Sequence, residues 1–190
     1  AQETACEAGE LPRDVAGEVE KLRRADRVIL HFPLWWFAPP ALLKGYFDRV
    51  FVHGGLHAVD RRFDTGSCRG KSALMCVTTG ASQAESAFNG KEADVQMLLW
   101  PTAYTLRYLG FDVLKPVVVH GVHGYYEGQE EIDLRDHLGR VLARQKDLLS
   151  DYDRMPRLKF NSDDDFAHTG RLKDTSPCYS PFIRHRAAAN

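Results

Sequence analysis

The chain has 190 residues, enough for about one domain of ordinary size. With 44% hydrophobic and 27% charged residues it sits among globular proteins, which argues against wholesale disorder, a collagen, a coiled coil or a disulfide scaffold. Its 25 Lys and Arg against 26 Asp and Glu leave a net charge of -1, so no global field draws in nucleic acid or anionic lipid.

The opening AQETACEAGE has neither the basic nor the apolar region of a signal peptide, and it lacks an initiator Met. It reads as the start of a chain cut from a longer one. From Pro12 to Ala25, Val15, Val19 and Leu22 fall on one side of a predicted helix with Pro12 near its first turn. Arg27–Phe32 is a short apolar run ended by Pro33, the pattern of a buried strand. Pro39-Pro40 opens a second helix, ALLKGYFDRVF, which Gly54 and Gly55 end. A polar loop leads to a second strand, Lys71–Val77. The stretch Glu92–Leu109 is a third helix, with Pro101 expected to kink or end its first part. Val113–Val119 is the third strand, and Pro116 suggests an exposed edge. Glu130–Leu149 then reads as one amphipathic helix, followed from Ser150 by an irregular, polar arm.

Strands alternating with helices predict an α/β fold: a doubly wound parallel sheet with three evident strands. Right-handed crossovers bring the strand C-termini to one edge, where ligands bind. Three loops then matter. PLWWFAPP, from Pro33, offers aromatic faces for a planar ring on a proline-stiffened platform, and the same residues would also suit a packed hydrophobic loop. TTGASQAESAFNG, from Thr78, supplies hydroxyls and backbone N–H groups beside Gly80, or simply a turn. HGVHGYYEG brings His120, His123, Tyr125 and Tyr126 to the same edge. His53 with His57, and His120 with His123, have spacings that ligate zinc on a helix, but glycines flank both pairs and no third ligand is well placed, so no metal site is expected. The four cysteines show no metal-knuckle spacing and fit a reducing, cytoplasmic setting; Cys76 reads as core filler. No run of about 18 apolar residues predicts membrane insertion.

Taken together, FPLWWFAPPALLKGYFDRVF, a strand ending in TTG, and LLWPTAYTLRYLGFDVLKP resemble the NAD(P)H:quinone oxidoreductase family of flavodoxin-like flavoproteins. The likeness runs from about Leu11 to Leu149, and Tyr179–His185 is similar to the ending of bacterial members. The resemblance implies FAD, with FMN as the alternative, NADH or NADPH as hydride donor, and a quinone as two-electron acceptor. It places Pro33, Leu34, Trp36, Phe37, Thr78, Thr79, Gly80 and Ala81 against the flavin. Substrate would lie over Trp36 and Phe37, near His57, Ser86, Tyr125 and Tyr126. It also implies a homodimer, with His57 and the C-terminal arm serving the partner's site.

Two departures from the family pattern stand out. Where mammalian members carry a Tyr and a His assigned to charge relay, this chain has Ser86 and Glu92, which leaves His57, His123, Tyr125, Tyr126 or water to move protons. The family sheet has five strands, and only its last three are evident here. That predicts a flavodoxin-like domain over 1–149, lacking its N-terminal strands and their phosphate-holding loop, an arm over 150–190, and weak flavin binding. The alternatives are an ancillary subunit of a potassium efflux system, and an inactive truncated paralogue.

Overall fold

The computed structural model describes residues 2–185. Its elements are α1 (Gln2–Glu7), α2 (Arg13–Arg24), β1 (Arg27–Pro33), α3 (Ala41–Val50), β2 (Ser72–Thr78), α4 (Val95–Tyr108), β3 (Asp112–Val113), β4 (Val117–Val119), α5 (Gln129–Ala143) and α6 (Gln145–Ser150). Short 3-10 turns lie at Phe63–Thr65, Tyr152–Arg154 and Asp163–Asp165.

The sheet is parallel throughout. β2 is central, with β1 on one side and both β3 and β4 on the other. Alternation along β2 divides its side chains between the two faces. Ala73, Met75 and Val77 join the main core with Val15, Val19 and Leu22 of α2, Phe47 and Val50 of α3, and Leu99, Ala103 and Leu106 of α4. Leu74 and Cys76 point the other way, into a smaller core with Leu114 and Tyr152. Burial of Cys76 pushes its thiol pKa up, as expected of core filler. Ala73–Val77 is buried on both faces, which explains its unbroken apolar run.

Several expectations need correction. Pro101 does not end α4, which runs on through it; the proline stands on the exposed side, where water can serve the carbonyl left without a donor. Thr105 Oγ1 donates to the Pro101 carbonyl at 2.9 Å, and Asp94 caps the helix by accepting from Gln96 N–H at 2.7 Å. The third strand is two pieces, β3 and β4, because Pro116 interrupts its ladder. Its outer edge is covered only in part: Leu158 N–H donates to Val113 O at 2.8 Å and Lys115 N–H to Pro156 O at 2.8 Å, so the arm pairs beside β3, while among the described residues β4 pairs with β2 alone. β1 is an open edge along its whole length, since among the described residues it pairs with β2 alone, and it leaves Ile29 exposed.

The long amphipathic helix is α5 and α6, joined at Arg144, and α5 buries none of its residues. Its apolar periodicity is real, with Leu134, Leu138 and Val141 half-buried, but Ile132 and Leu142 face solvent. Helix α1 carried no periodic signal; it is six residues long and wholly unburied. Of the arm, residues 186–190 lie outside the described residues.

Candidate functional site

All three ligand loops leave the sheet at one level, because Pro33 pairs in register with Thr78, and Thr78 with Val119. The backbone locks them together beyond the strands. Leu34 N–H donates to Thr78 O at 2.8 Å and Thr79 N–H to Val119 O at 3.0 Å. Further out, Val122 N–H donates to Thr79 O at 2.9 Å and Gly121 N–H to Ala81 O at 3.0 Å.

The first loop is a tight reversal. Trp35 and Ala38 exchange backbone hydrogen bonds of 3.0 and 3.1 Å, and between them Trp36 and Phe37 have φ of 51° and 61°. Two positive φ values mark a type I′ turn, where Asn and Gly are the favoured residues. Bulky aromatics there are strained, and such strain concentrates at ligand clamps. The turn drives both rings outward, leaving Trp36 93% and Phe37 53% exposed.

Across from this turn a cleft of about 470 Å³ opens. Leu34, Trp36, Phe37, Thr79, Gly80, Ala81, Ser86, His123 and Tyr125 line it, bringing most of the sequence-predicted residues together. Pro33 and Thr78 lie just beneath, as the last residues of β1 and β2. Tyr126 stands outside the lining, with its ring centroid 4.1 Å from that of His123.

His57 does not reach the cleft. Its Nε2 is 3.1 Å from Phe51 O, and its ring packs edge-on against Tyr108 at 5.4 Å and His53 at 5.1 Å. Burial lowers its pKa from the usual histidine value; the Phe51 carbonyl opposes this, and His53 and Arg61 add to it. Within this chain His57 is therefore a packed loop residue, not a member of the same constellation as His123. His53 Nδ1 lies 2.8 Å from Glu3 Oε1, yet no group of three His, Cys, Asp or Glu among the described residues is arranged to hold a metal ion.

The second loop contributes one residue that the sequence does not single out, Glu85, and brings Glu92 to the same wall. Glu85 lines the cleft and is held by Ser82, whose N–H and Oγ both donate to Oε2, at 3.0 and 2.8 Å. Those bonds hold the Glu85 carboxyl below its ordinary pKa, the Ser82 N–H foremost, with the nearby charges of Lys91 and His123 contributing. The Ser-x-x-Glu spacing of a capping box was the signal that would have found it. Glu92 also lines the cleft, and its N–H donates to Glu85 O at 3.0 Å. That fold-back requires Gly90, since a Cβ there would sit 2.2 Å from Glu85 O. Val95 and Leu98 of α4 close the far side.

The arrangement suits a flat, electron-rich ring. Among the described residues, the backbone N–H groups of Trp36, Phe37 and Gly80 meet no protein acceptor, so the turns on both sides of the cleft present free donors. Donors held in place by such turns stabilise negative charge on a ring edge. His123 Nδ1 accepts the Tyr125 N–H at 3.3 Å, which leaves the ring proton of the neutral form on Nε2.

Comparison with known proteins agrees with this geometry. Residues 3–143 match a family described as having a flavodoxin-like fold. The chain is 40% identical over 119 residues to NAD(P)H dehydrogenase [quinone] 1 of Rattus norvegicus, covering 62% of this chain and 43% of that one. It is 41% identical over 109 residues to ribosyldihydronicotinamide dehydrogenase [quinone] of Homo sapiens, covering 57% and 47%. The chain thus spans less than half the length of these two relatives. A crystal structure from Klebsiella pneumoniae, assigned as a quinone reductase, superposes with a TM-score of 0.75 at 28% identity, covering 90% of this chain and 68% of that one. General stress protein 14 of Treponema denticola, solved in complex with FMN, superposes at 0.52 with 25% identity, covering 74% and 78%. The parallel sheet, the level of its three loops and the family match over most of the sequence together place this chain in the flavodoxin-like family.

Proposed function

We propose that this chain carries the ring-binding half of a flavin-dependent NAD(P)H:quinone oxidoreductase. One observation carries the reading: an outward-facing Trp36–Phe37 turn in a strained backbone form stands across one cleft from the Thr79–Ala81 turn, both with free N–H donors. A flavin bound there, FAD or FMN, would supply the carrier for hydride taken from NADH or NADPH and passed to a quinone.

The residues divide the work. Leu34, Trp36 and Phe37 hold the ring plane, and the donors of Trp36, Phe37 and Gly80 meet its polar edge. Trp36 remains exposed enough to shelter a second planar molecule, nicotinamide or quinone in turn. His123 holds a proton on Nε2 beside the cleft, where it can be given to a bound acceptor. Ser86, 5% exposed, shapes the wall rather than moving protons, because its carbonyl accepts Val95 N–H at 3.0 Å and fixes the start of α4.

Fluorescence titration with FAD and FMN tests the reading. Binding is expected to be saturable and weak, and Trp36→Ala should weaken it by about 0.5–1.5 kcal/mol of ring stacking. Equal titration of the parent and the variant would overturn the assignment. The similarity to the KefF ancillary protein of an Enterobacter potassium-efflux system, 35% over 107 residues, favours a regulatory subunit as the second reading. NAD(P)H oxidation that depends on menadione separates the two: turnover supports the oxidoreductase, and flavin binding without turnover supports the subunit.

A further inference from the structure

Behind the cleft lies a larger cavity of about 780 Å³, separated from it by Val95, which lines both. Its floor is apolar: Met75 and Leu99 are fully buried, and Val118 and Leu158 are half-buried. One wall is aromatic. Trp100 lies with its ring 4.9 Å from Phe182 of the arm, at an interplanar angle of 42°.

Charge at this cavity has one sign. Lys115, Arg157 and Lys159 line it, and no Asp or Glu does. Arg157 is already paired with Asp112, but among the described residues neither Lys115 nor Lys159 has a carboxylate within ion-pair distance. An apolar floor rewards a hydrocarbon ring, and two free ammonium groups at the rim reward an anion attached to it. A purely apolar ligand leaves the lysines unserved, and a small hydrophilic anion leaves the floor wet.

We infer that this cavity is a second binding site, distinct from the flavin cleft, for a small aromatic anion such as an aryl carboxylate. The ring lies on Leu99 and Trp100, and the carboxylate meets Lys115 and Lys159. The site stands independently of the oxidoreductase reading, since none of its charged residues lines the cleft.

Two-dimensional amide NMR of the full chain, titrated with 2-naphthoate and with the neutral 2-naphthylmethanol, tests it. Naphthoate is expected to shift amides in Val95–Ala103 and Tyr179–Phe182 along a single saturable curve. The double variant Lys115→Gln/Lys159→Gln should weaken it about five-fold, as two exposed ion pairs would. The neutral analogue should bind the parent about five-fold more weakly as well. Trp36→Ala serves as the cleft control and should leave naphthoate affinity unchanged. Equal affinity for the neutral analogue, shifts centred on Thr79–Ala81, or no binding would each overturn the inference.

Discussion

On one face of the sheet, α2, α3 and α4 set three helical stripes against β1 and β2, building a continuous core from Val15 to Val113. On the other, Leu74, Cys76 and Leu114 form a small cluster with Tyr152, against which Val117, Leu148 and Met155 pack. Regular elements finish the first face, and a helix end with a 3-10 turn finishes much of the second. The first face holds the strands in the register that brings the ligand loops to one level. The second face protects the central strand without a helix laid along it. A single residue should therefore matter more on the second face than on the first, where many share the burial.

The sharpest way to break that comparison is Tyr152→Ala. Tyr152 is 2% exposed, and Ser72 Oγ donates to its hydroxyl at 3.2 Å. Truncation should cost about 3–5 kcal/mol, the range for a buried aromatic, read as a lower urea midpoint with an unchanged slope. A loss under about 1 kcal/mol, the level of an ordinary substitution, would show that the turn lies loosely on the face and that Leu74 is covered by something else.

The same contrast explains what could be read from the sequence. Val15, Val19 and Leu22 repeat at helical spacing, and Ala73–Val77 is an apolar run, so the helical face and the central strand were legible. Tyr152 sits in a polar, aperiodic stretch, and burial without a period leaves no trace in a pattern. The cleft was legible where chemistry is concentrated, in the Trp35–Phe37 triplet and the Thr78–Gly80 turn. The positive φ of Trp36 and Phe37 was not, because that backbone form usually announces itself through Gly or Asn. His57 came from the family resemblance, as a residue serving the partner's site, and the Phe51 carbonyl that its ring nitrogen meets within this chain is a contact no spacing announces. α5 misled in the opposite sense: its stripe was read correctly, but a stripe does not say whether anything covers it.

A smaller effect, of opposite sign, is expected at the loop the helical face positions. Replacing Trp36-Phe37 with Asn-Gly gives the turn the residues its backbone form favours. With Trp36 93% exposed, little burial is lost, so relief of strain should raise stability by about 1–2 kcal/mol. Flavin binding should fall in the same variant, because the ring platform is gone. Such a stability gain at the cost of function is the signature of strain kept for a ligand. An unchanged melting temperature, or full retention of flavin affinity, would remove the platform from the site.

The smallest expected effect sharpens the boundary of the fold. Leu142 of α5 is 72% exposed, whereas Leu106 of α4 is 1% exposed. Leu106→Ala should cost about 2–5 kcal/mol, and Leu142→Ser should stay within about 0.5 kcal/mol. Burial is the main difference between the two sites, since both are leucines on helices with an apolar stripe, and the poorer helix propensity of Ser adds only a few tenths of a kcal/mol, about what the expected ceiling allows. If Leu142→Ser instead costs more than about 1 kcal/mol, a change too large for an uncovered surface position, then the α5 stripe packs against a surface in solution. A concentration-dependent loss would identify that surface as a second copy of the chain, because an interface between copies ties stability to protomer concentration. A concentration-independent loss would mean that α5 folds back onto its own domain.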